Sequence, residues 1–336
     1  MAGPGARAVA TCIGLAFLLV AGCSSSSDED APVTIEPASA AQSPPQNAVP
    51  DGIVHPVDQP IDSITFDPET QTAVVLENAE NRILLLRGDD LTAPARTIDL
   101  DGAVAQVSSA AGGVALLAMN KQVGRLNLST GELSFVPADG DVRSVAQLPD
   151  GRIAMGLGNG EIHIEDTVTG ESQVIDGLTS VDGLAVVGDT LTALDRSQTS
   201  VTEVDMADSS LGLALRAGEG ATQLTTDHYG RILVTDTKGN ELLAYTTDDL
   251  MLRQRFPAGP SPYAVAYDDQ SDRAWVTLTG TNEVVGFDLS SGVGVETARY
   301  STVRQPNSVA VDTVNGDLLI GSATGDGLQQ IPTRSP

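Results

Sequence analysis

The side chains that most often carry chemistry are scarce in this chain, and their positions narrow what they can do. Its 336 residues include three histidines, His55, His163 and His228, and two cysteines, Cys12 and Cys23. Both cysteines fall in the first 23 residues, so the rest can form no disulfide framework, thiolate zinc site, iron–sulfur cluster or cysteine nucleophile. No His-Glu-x-x-His, Gly-x-Ser-x-Gly or Gly-Lys-Ser/Thr pattern occurs, nor a long Asp-rich calcium loop. The cluster Gly156-Leu157-Gly158-Asn159-Gly160 has no helix behind it to cradle a phosphate, and is expected to be a hairpin turn. Carboxylates, amides and hydroxyls remain. Asp and Glu number 45 against 18 Lys and Arg, a formal charge of −27. With no basic block to offset it, that charge repels phosphate backbones and excludes nucleic acid as a partner.

Whether such groups can converge depends on the elements that hold them. Hydrophobic residues make up 41% of the chain, enough for a packed core. From residue 53 on, short β-branched runs alternate with Gly, Pro, Asp and Asn, and no long helical stripe interrupts them. Runs beginning at Ala73, Val114, Ile153, Leu191, Ile232, Ala274 and Leu318 lie 41, 39, 38, 41, 42 and 44 residues apart. Turns recur in register, as in Asn127-Leu128-Ser129-Thr130-Gly131, Asp166-Thr167-Val168-Thr169-Gly170 and Asp288-Leu289-Ser290-Ser291-Gly292. Each starts with a side chain that can bond its own backbone and ends with a residue tolerant of positive φ. A period of about 41 residues matches one propeller blade and fits no helical or leucine-rich solenoid.

The expected fold is therefore all-β: a seven-bladed β-propeller of four-stranded antiparallel blades spanning residues 53–332, with 333–336 a C-terminal tail. The seventh repeat has only three recognisable strands. Ile53-Val54-His55 is expected to supply the fourth and close the ring, because an open ring would leave unpaired edges. His55 then lies in a strand, His163 in a third strand and His228 in a turn, all away from the loops where propellers bind ligands. Imidazole base catalysis is not expected.

At the N-terminus, Arg7 precedes a nearly all-apolar stretch from Ala8 to Ala21. About 21 Å of helix is too short for the roughly 30 Å hydrocarbon core, so it fits an export signal. The end of this stretch, Leu18-Leu19-Val20-Ala21-Gly22-Cys23 followed by four serines, resembles the bacterial lipoprotein lipobox. That resemblance implies a signal peptide over 1–22, acyl groups on Cys23, and anchorage to the outer face of the cytoplasmic membrane. Two or three acyl chains hold a protein stably on a bilayer. Residues 23–52, rich in Ser, Pro and Ala, are expected to be a disordered tether.

The segment Trp275-Val276-Thr277-Leu278-Thr279-Gly280-Thr281-Asn282-Glu283-Val284, followed by Gly286-Phe287-Asp288, resembles the YVTN type of propeller repeat. The wider layout is similar to the conserved actinobacterial lipoproteins called LppL. It shares their Asp195-Arg196-Ser197-Gln198-Thr199-Ser200-Val201, Ala217-Gly218-Glu219-Gly220-Ala221-Thr222 and Gln305-Pro306-Asn307-Ser308. The resemblance implies a surface-anchored propeller and carries no established activity.

In a propeller, the innermost strands start at the face bearing the connections between blades, where the ring converges on a channel. Those connections offer Asp62, Arg143, Asp182, Thr222, Tyr263 and Asn307 as ligand-binding candidates, and the loops after the second strands add Glu77, Asp195 and Asp236. So many carboxylates imply an acidic mouth that prefers cationic, neutral or metal-bridged ligands. The leading expectation is a non-catalytic, monomeric protein that binds an envelope partner or small ligand there, with no cofactor. The alternative is a metal-assisted lactonase or related hydrolase similar to gluconolactonase-type propellers. In that case Asp182, Asp195 and Asn307 would hold a divalent cation such as calcium. Anchoring is tested first: Cys23→Ala should abolish acylation and leader cleavage together, seen as loss of labelled fatty-acid incorporation and retention of the precursor mass.

Overall fold

The apolar runs form strands, and their continuity rather than alternation says how they are buried. Val74, Val75 and Leu76 follow one another and are each at most 1% exposed, so both faces of their sheet are covered. The structure, a computed structural model, describes residues 1–3 and 33–334. The chain divides into two units, Met1–Val33 and Thr34–Pro336, and the strands all belong to the second. The expected signal peptide from residue 4 on, and Cys23, lie outside the described residues. Among the described residues no helix is long and apolar enough to cross a membrane.

After β1 (Ile53–His55), the first sheet runs β2 (Ser63–Asp67), β3 (Thr72–Glu77), β4 (Arg82–Arg87) and β5 (Arg96–Asp99). A six-stranded sheet follows, made of β6 (Val104–Ala110), β7 (Val114–Asn127), β8 (Leu133–Gln147), β9 (Ile153–Leu157), β10 (Ile162–Glu165) and β11 (Ser172–Ile175). The next four-stranded sheet holds β12 (Gly183–Val187), β13 (Thr190–Asp195), β14 (Ser200–Asp205) and β15 (Ser210–Arg216). Then come β16 (Ala221–Thr226), β17 (Arg231–Asp236), β18 (Glu241–Thr246) and β19 (Met251–Pro257). After them, β20 (Pro262–Asp268), β21 (Arg273–Leu278), β22 (Glu283–Asp288) and β23 (Val295–Ser301) form another. The last sheet contains β24 (Pro306–Asp312), β25 (Asp317–Ser322), β26 (Leu328–Pro332) and β1.

The fold is a β-propeller with six hydrogen-bonded blades, which corrects the expected seven. The difference arises at β7 and β8. Strand β7 takes in two successive apolar runs with Lys121, at φ 63°, between them. Strand β8 joins the outer run of one repeat to the inner run of the next, and the pair Asn120–Asp141 ties the two long strands together. Repeats that elsewhere form separate sheets are here one.

The core lies between neighbouring sheets rather than at the centre. Val74 and Ile83 pack with Val107 and Leu117, and Leu194 packs with Ile232 and Val234. Ile64 and Ala73 meet Ala310 and Leu319 where first and last sheets close the ring. Packing is tight enough to dictate small residues. Gly286 pairs with Trp275, and a Cβ there would come within 2.7 Å of the indole. The recurring turns use their leading side chains as anticipated: Asp166 Oδ1 accepts from the N–H groups of Val168 and Thr169 at 2.8 and 3.0 Å. Those bonds, Thr169's foremost, hold its carboxyl below the usual carboxylate range.

Closure is made by β1, which pairs antiparallel with β26 through Ile53–Gln330, Val54–Gln329 and His55–Leu328. The segment before it, expected to extend away as a tether, lies against the domain from residue 34 on. Ile35 N–H donates to Ser197 O at 2.7 Å, and Gln46 Nε2 donates to Thr302 O at 2.8 Å. Two truncations separate these contributions. A chain lacking residues 24–33 should melt with the full mature chain. One lacking 24–58 should melt several degrees lower by calorimetry, because it loses both the strap and the closing strand.

Candidate ligand site at the channel mouth

Each innermost strand begins where the chain crosses from one repeat to the next, so the residues at these crossings point toward the shared axis. All six proposed binding residues, Asp62, Arg143, Asp182, Thr222, Tyr263 and Asn307, line one channel of about 590 Å³. Asp182 joins the two sides of its crossing. Its Oδ2 accepts from the Arg196 backbone N–H at 2.9 Å and from the Ser180 hydroxyl, and Arg143 Nη1 donates to its Oδ1 at 3.3 Å. Asp62, at the start of the first sheet, is exposed and accepts the Asn78 N–H at 2.8 Å. The Thr222 hydroxyl is hydrogen-bonded to those of Thr235 and Thr237 at 3.0 and 2.7 Å. Asn307 Oδ1 accepts from Gln305 Nε2 at 3.0 Å. Farther along the wall, burial, then Asp227 and Asp272, push the Tyr267 phenol above its ordinary range.

The second set of candidates does something else. Glu77, Asp195 and Asp236 are fully buried and do not line the channel. Asp195 Oδ2 accepts from the N–H groups of Thr179 and Ser180 at 2.8 and 3.2 Å, and its Oδ1 from Gln198 N–H at 2.9 Å. Asp236 repeats the device, accepting Glu219, Gly220 and Gly239 N–H groups at 2.9, 2.8 and 3.0 Å. Glu77 is paired with Arg82. Asp195 and Asp236 satisfy backbone donors that burial would otherwise leave unpaired. They tie each crossing loop to the end of a second strand and thereby set the positions of Asp182 and Thr222.

Two expectations change as a result. Of the metal set Asp182, Asp195 and Asn307, only the first and third reach the channel. Among the described residues no cluster of three or more His, Cys, Asp or Glu is arranged to hold a metal ion. Nor is the mouth acidic. Its charged lining consists of Asp62 and Asp182 against Arg143 and Arg196, two of each sign. Sequence reasoning missed Arg196, although it directly follows Asp195 in the loop after a second strand, a position that faces the mouth by topology. The mouth is dipolar, with Asp62 in the first repeat and both guanidiniums on the third and fourth.

The histidines stand apart from this channel. His55 is hydrogen-bonded to Gln330 at 3.0 Å, His163 to Glu161 at 3.0 Å and His228 to Asp269 at 3.2 Å.

No family model and no curated protein matches the chain. Solved structures do. A chain of hydrazine synthase from Kuenenia stuttgartiensis superposes with a TM-score of 0.70 at 14% identity, over 86% of this chain and 100% of that one. A streptogramin B lyase gives 0.67 at 14% identity, over 84% and 96%. A chain of a mitotic checkpoint complex gives 0.71 at 14% identity, over 97% and 100%. What they share with this chain is the fold.

The division of labour between the two carboxylate sets can be measured. Asp195→Ala would strand three backbone donors and should cost about 3 kcal/mol or more in urea unfolding. Arg143→Ala removes a side chain that is 40% exposed and should leave the unfolding midpoint nearly unchanged.

Proposed function

We propose that this chain is a lipid-anchored protein of the cell envelope, held through Cys23 on the outer face of the cytoplasmic membrane. Its propeller, monomeric and of the LppL-like, YVTN-repeat kind, binds a small polar ligand or an envelope partner at the channel mouth without catalysing a reaction. On this reading the six-stranded sheet contains two repeats fused at the Asn120–Asp141 pair. Seven innermost segments then surround the channel.

The observation that carries the binding role is the dipolar lining: two guanidiniums facing a carboxylate across a 590 Å³ channel, with threonine hydroxyls, Tyr263 and Asn307 between. Fixed, opposed charges with neutral donors and acceptors orient a ligand that itself carries both signs. Arg143 makes only long contacts, 3.4 Å to Asp141 and 3.3 Å to Asp182, so it retains donors for an incoming carboxylate. The hydrolase alternative is weaker, because Asp195 is held by backbone N–H groups instead of facing Asp182 and Asn307.

A thermal-shift series tests the choice. Small zwitterions should raise the melting temperature, with the shift reduced at least tenfold in apparent affinity by Arg143→Ala and by Asp62→Asn. Ca²⁺, Mg²⁺, Zn²⁺ and Mn²⁺ should give no shift that EDTA reverses. A metal-linked shift abolished by Asp182→Asn would instead favour the hydrolase.

A further inference from the structure

The segment ahead of β1 is held in a way that says what the rim of the mouth can recognise. From Ile35 to Gln46 it runs extended past the loops of the last four repeats, and the groove reads its backbone with side chains. Lys238 Nζ donates to Glu36 O at 2.9 Å, and the Arg196 guanidinium donates to Ala38 O. Ser261 Oγ accepts the Ala41 N–H at 3.1 Å. Asn282 Nδ2 donates to Pro44 O at 3.0 Å. Gln305 does most: its Nε2 donates to Ala41 O and its Oε1 accepts Ser43 N–H, each at 2.9 Å. One amide thus offers a donor and an acceptor to residues two apart, as a neighbouring β-strand would.

Such contacts depend on an extended backbone and hardly on side chains. Only two positions of the strap are buried, Ala38 at 1% and Ser43 at 3% exposed. The Ala38 well is floored by Gly220, where an added Cβ would lie 2.9 Å from Ala38 Cβ. The Ser43 hydroxyl donates to Thr279 O at 2.7 Å. Both wells admit small residues only, and they are five positions apart. The remaining residues of the strap are exposed or half-buried, so little apolar area offsets the entropy of ordering a dozen residues. Segments held this way open at the low end of a protein's stability.

We propose that this rim, from Ser197 past Ser261 and Thr279 to Thr302, is a docking groove for an extended peptide of a partner protein. Residues 34–48 are its resident occupant, displaced when the partner docks. The fitting partner segment is extended, tolerant of prolines, and has small residues five apart. This inference rests on reading the mouth face as the binding face, but not on the channel's ligand. Arg196 both lines the channel and holds Ala38 O, so the groove and the channel meet at this residue.

The probe is a fluorescent synthetic peptide of residues 34–48, read by anisotropy. The mature chain lacking 24–48, which keeps β1, should bind it saturably and at least tenfold more tightly than the full mature chain, whose own strap competes. Placing Trp at position 38 or 43 of the peptide should abolish binding. If the shortened chain does not fold, the full chain carrying Ala38→Trp, whose strap cannot seat, serves in its place and should bind the unaltered peptide. Absence of binding to the folded strapless chain or to that variant overturns the proposal, as does equal binding to the wild-type chain. Arg143→Ala, which weakens the channel ligand, should leave peptide affinity unchanged, so the two readings fail separately.

Discussion

Each sheet of this protein buries both faces against its neighbours, and that requirement governs the rest of the structure. A blade removed from the ring would expose two apolar faces, such as those carrying Val74 and Val75 on β3, so no blade is stable without closure. Closure in turn falls to the N-terminal residues, because the last repeat provides only three strands. The pairing of β1 with β26 therefore couples the start of the domain to its end. It also fixes where the preceding segment must travel.

Burial of the crossing loops imposes a second demand, that of satisfying their backbone donors. Asp195 and Asp236 answer it from the ends of second strands, each accepting three N–H groups. A carboxylate in this role is a structural clamp, and it leaves the channel chemistry to Arg196 and to the crossing residues it positions. The mouth thus acquires a balance of charge within a chain of formal charge −27. Arg143, Asp182 and Arg196 are interlocked at one crossing, while Asp62 stands across from them.

The strap and the channel share residues. Arg196 belongs to both, and Gln305 connects the strap at Ala41 and Ser43 to Asn307 on the channel wall. The two sites thus adjoin at these side chains without depending on Arg143. That economy is possible because the loops after second strands and the crossings between repeats emerge on the same face.

How much of this was legible in the chain itself follows from where each signal resides. Period, strand runs and turn residues are local, so the propeller class, the antiparallel blades and the closing role of Ile53-Val54-His55 could be read directly. So could the six channel residues, because repeat topology places the start of every innermost strand at the mouth. Local pattern could not distinguish a carboxylate facing solvent from one facing backbone donors, so Asp195 and Asp236 looked like ligands. Composition likewise marked residues 23–52 as a tether, since small and proline-rich segments bury little by themselves; the order of Glu36 to Pro44 comes from Lys238, Ser261, Asn282 and Gln305, up to 264 positions away. The fusion of β7 and β8 through Asn120–Asp141 is equally non-local. By itself the sequence determined the repeat, the fold class and the six crossing residues that reach the channel, because these follow from periodicity. Only the tertiary structure decided the charge of the mouth, the number of sheets and the course of the strap, because each depends on which distant donor meets which acceptor.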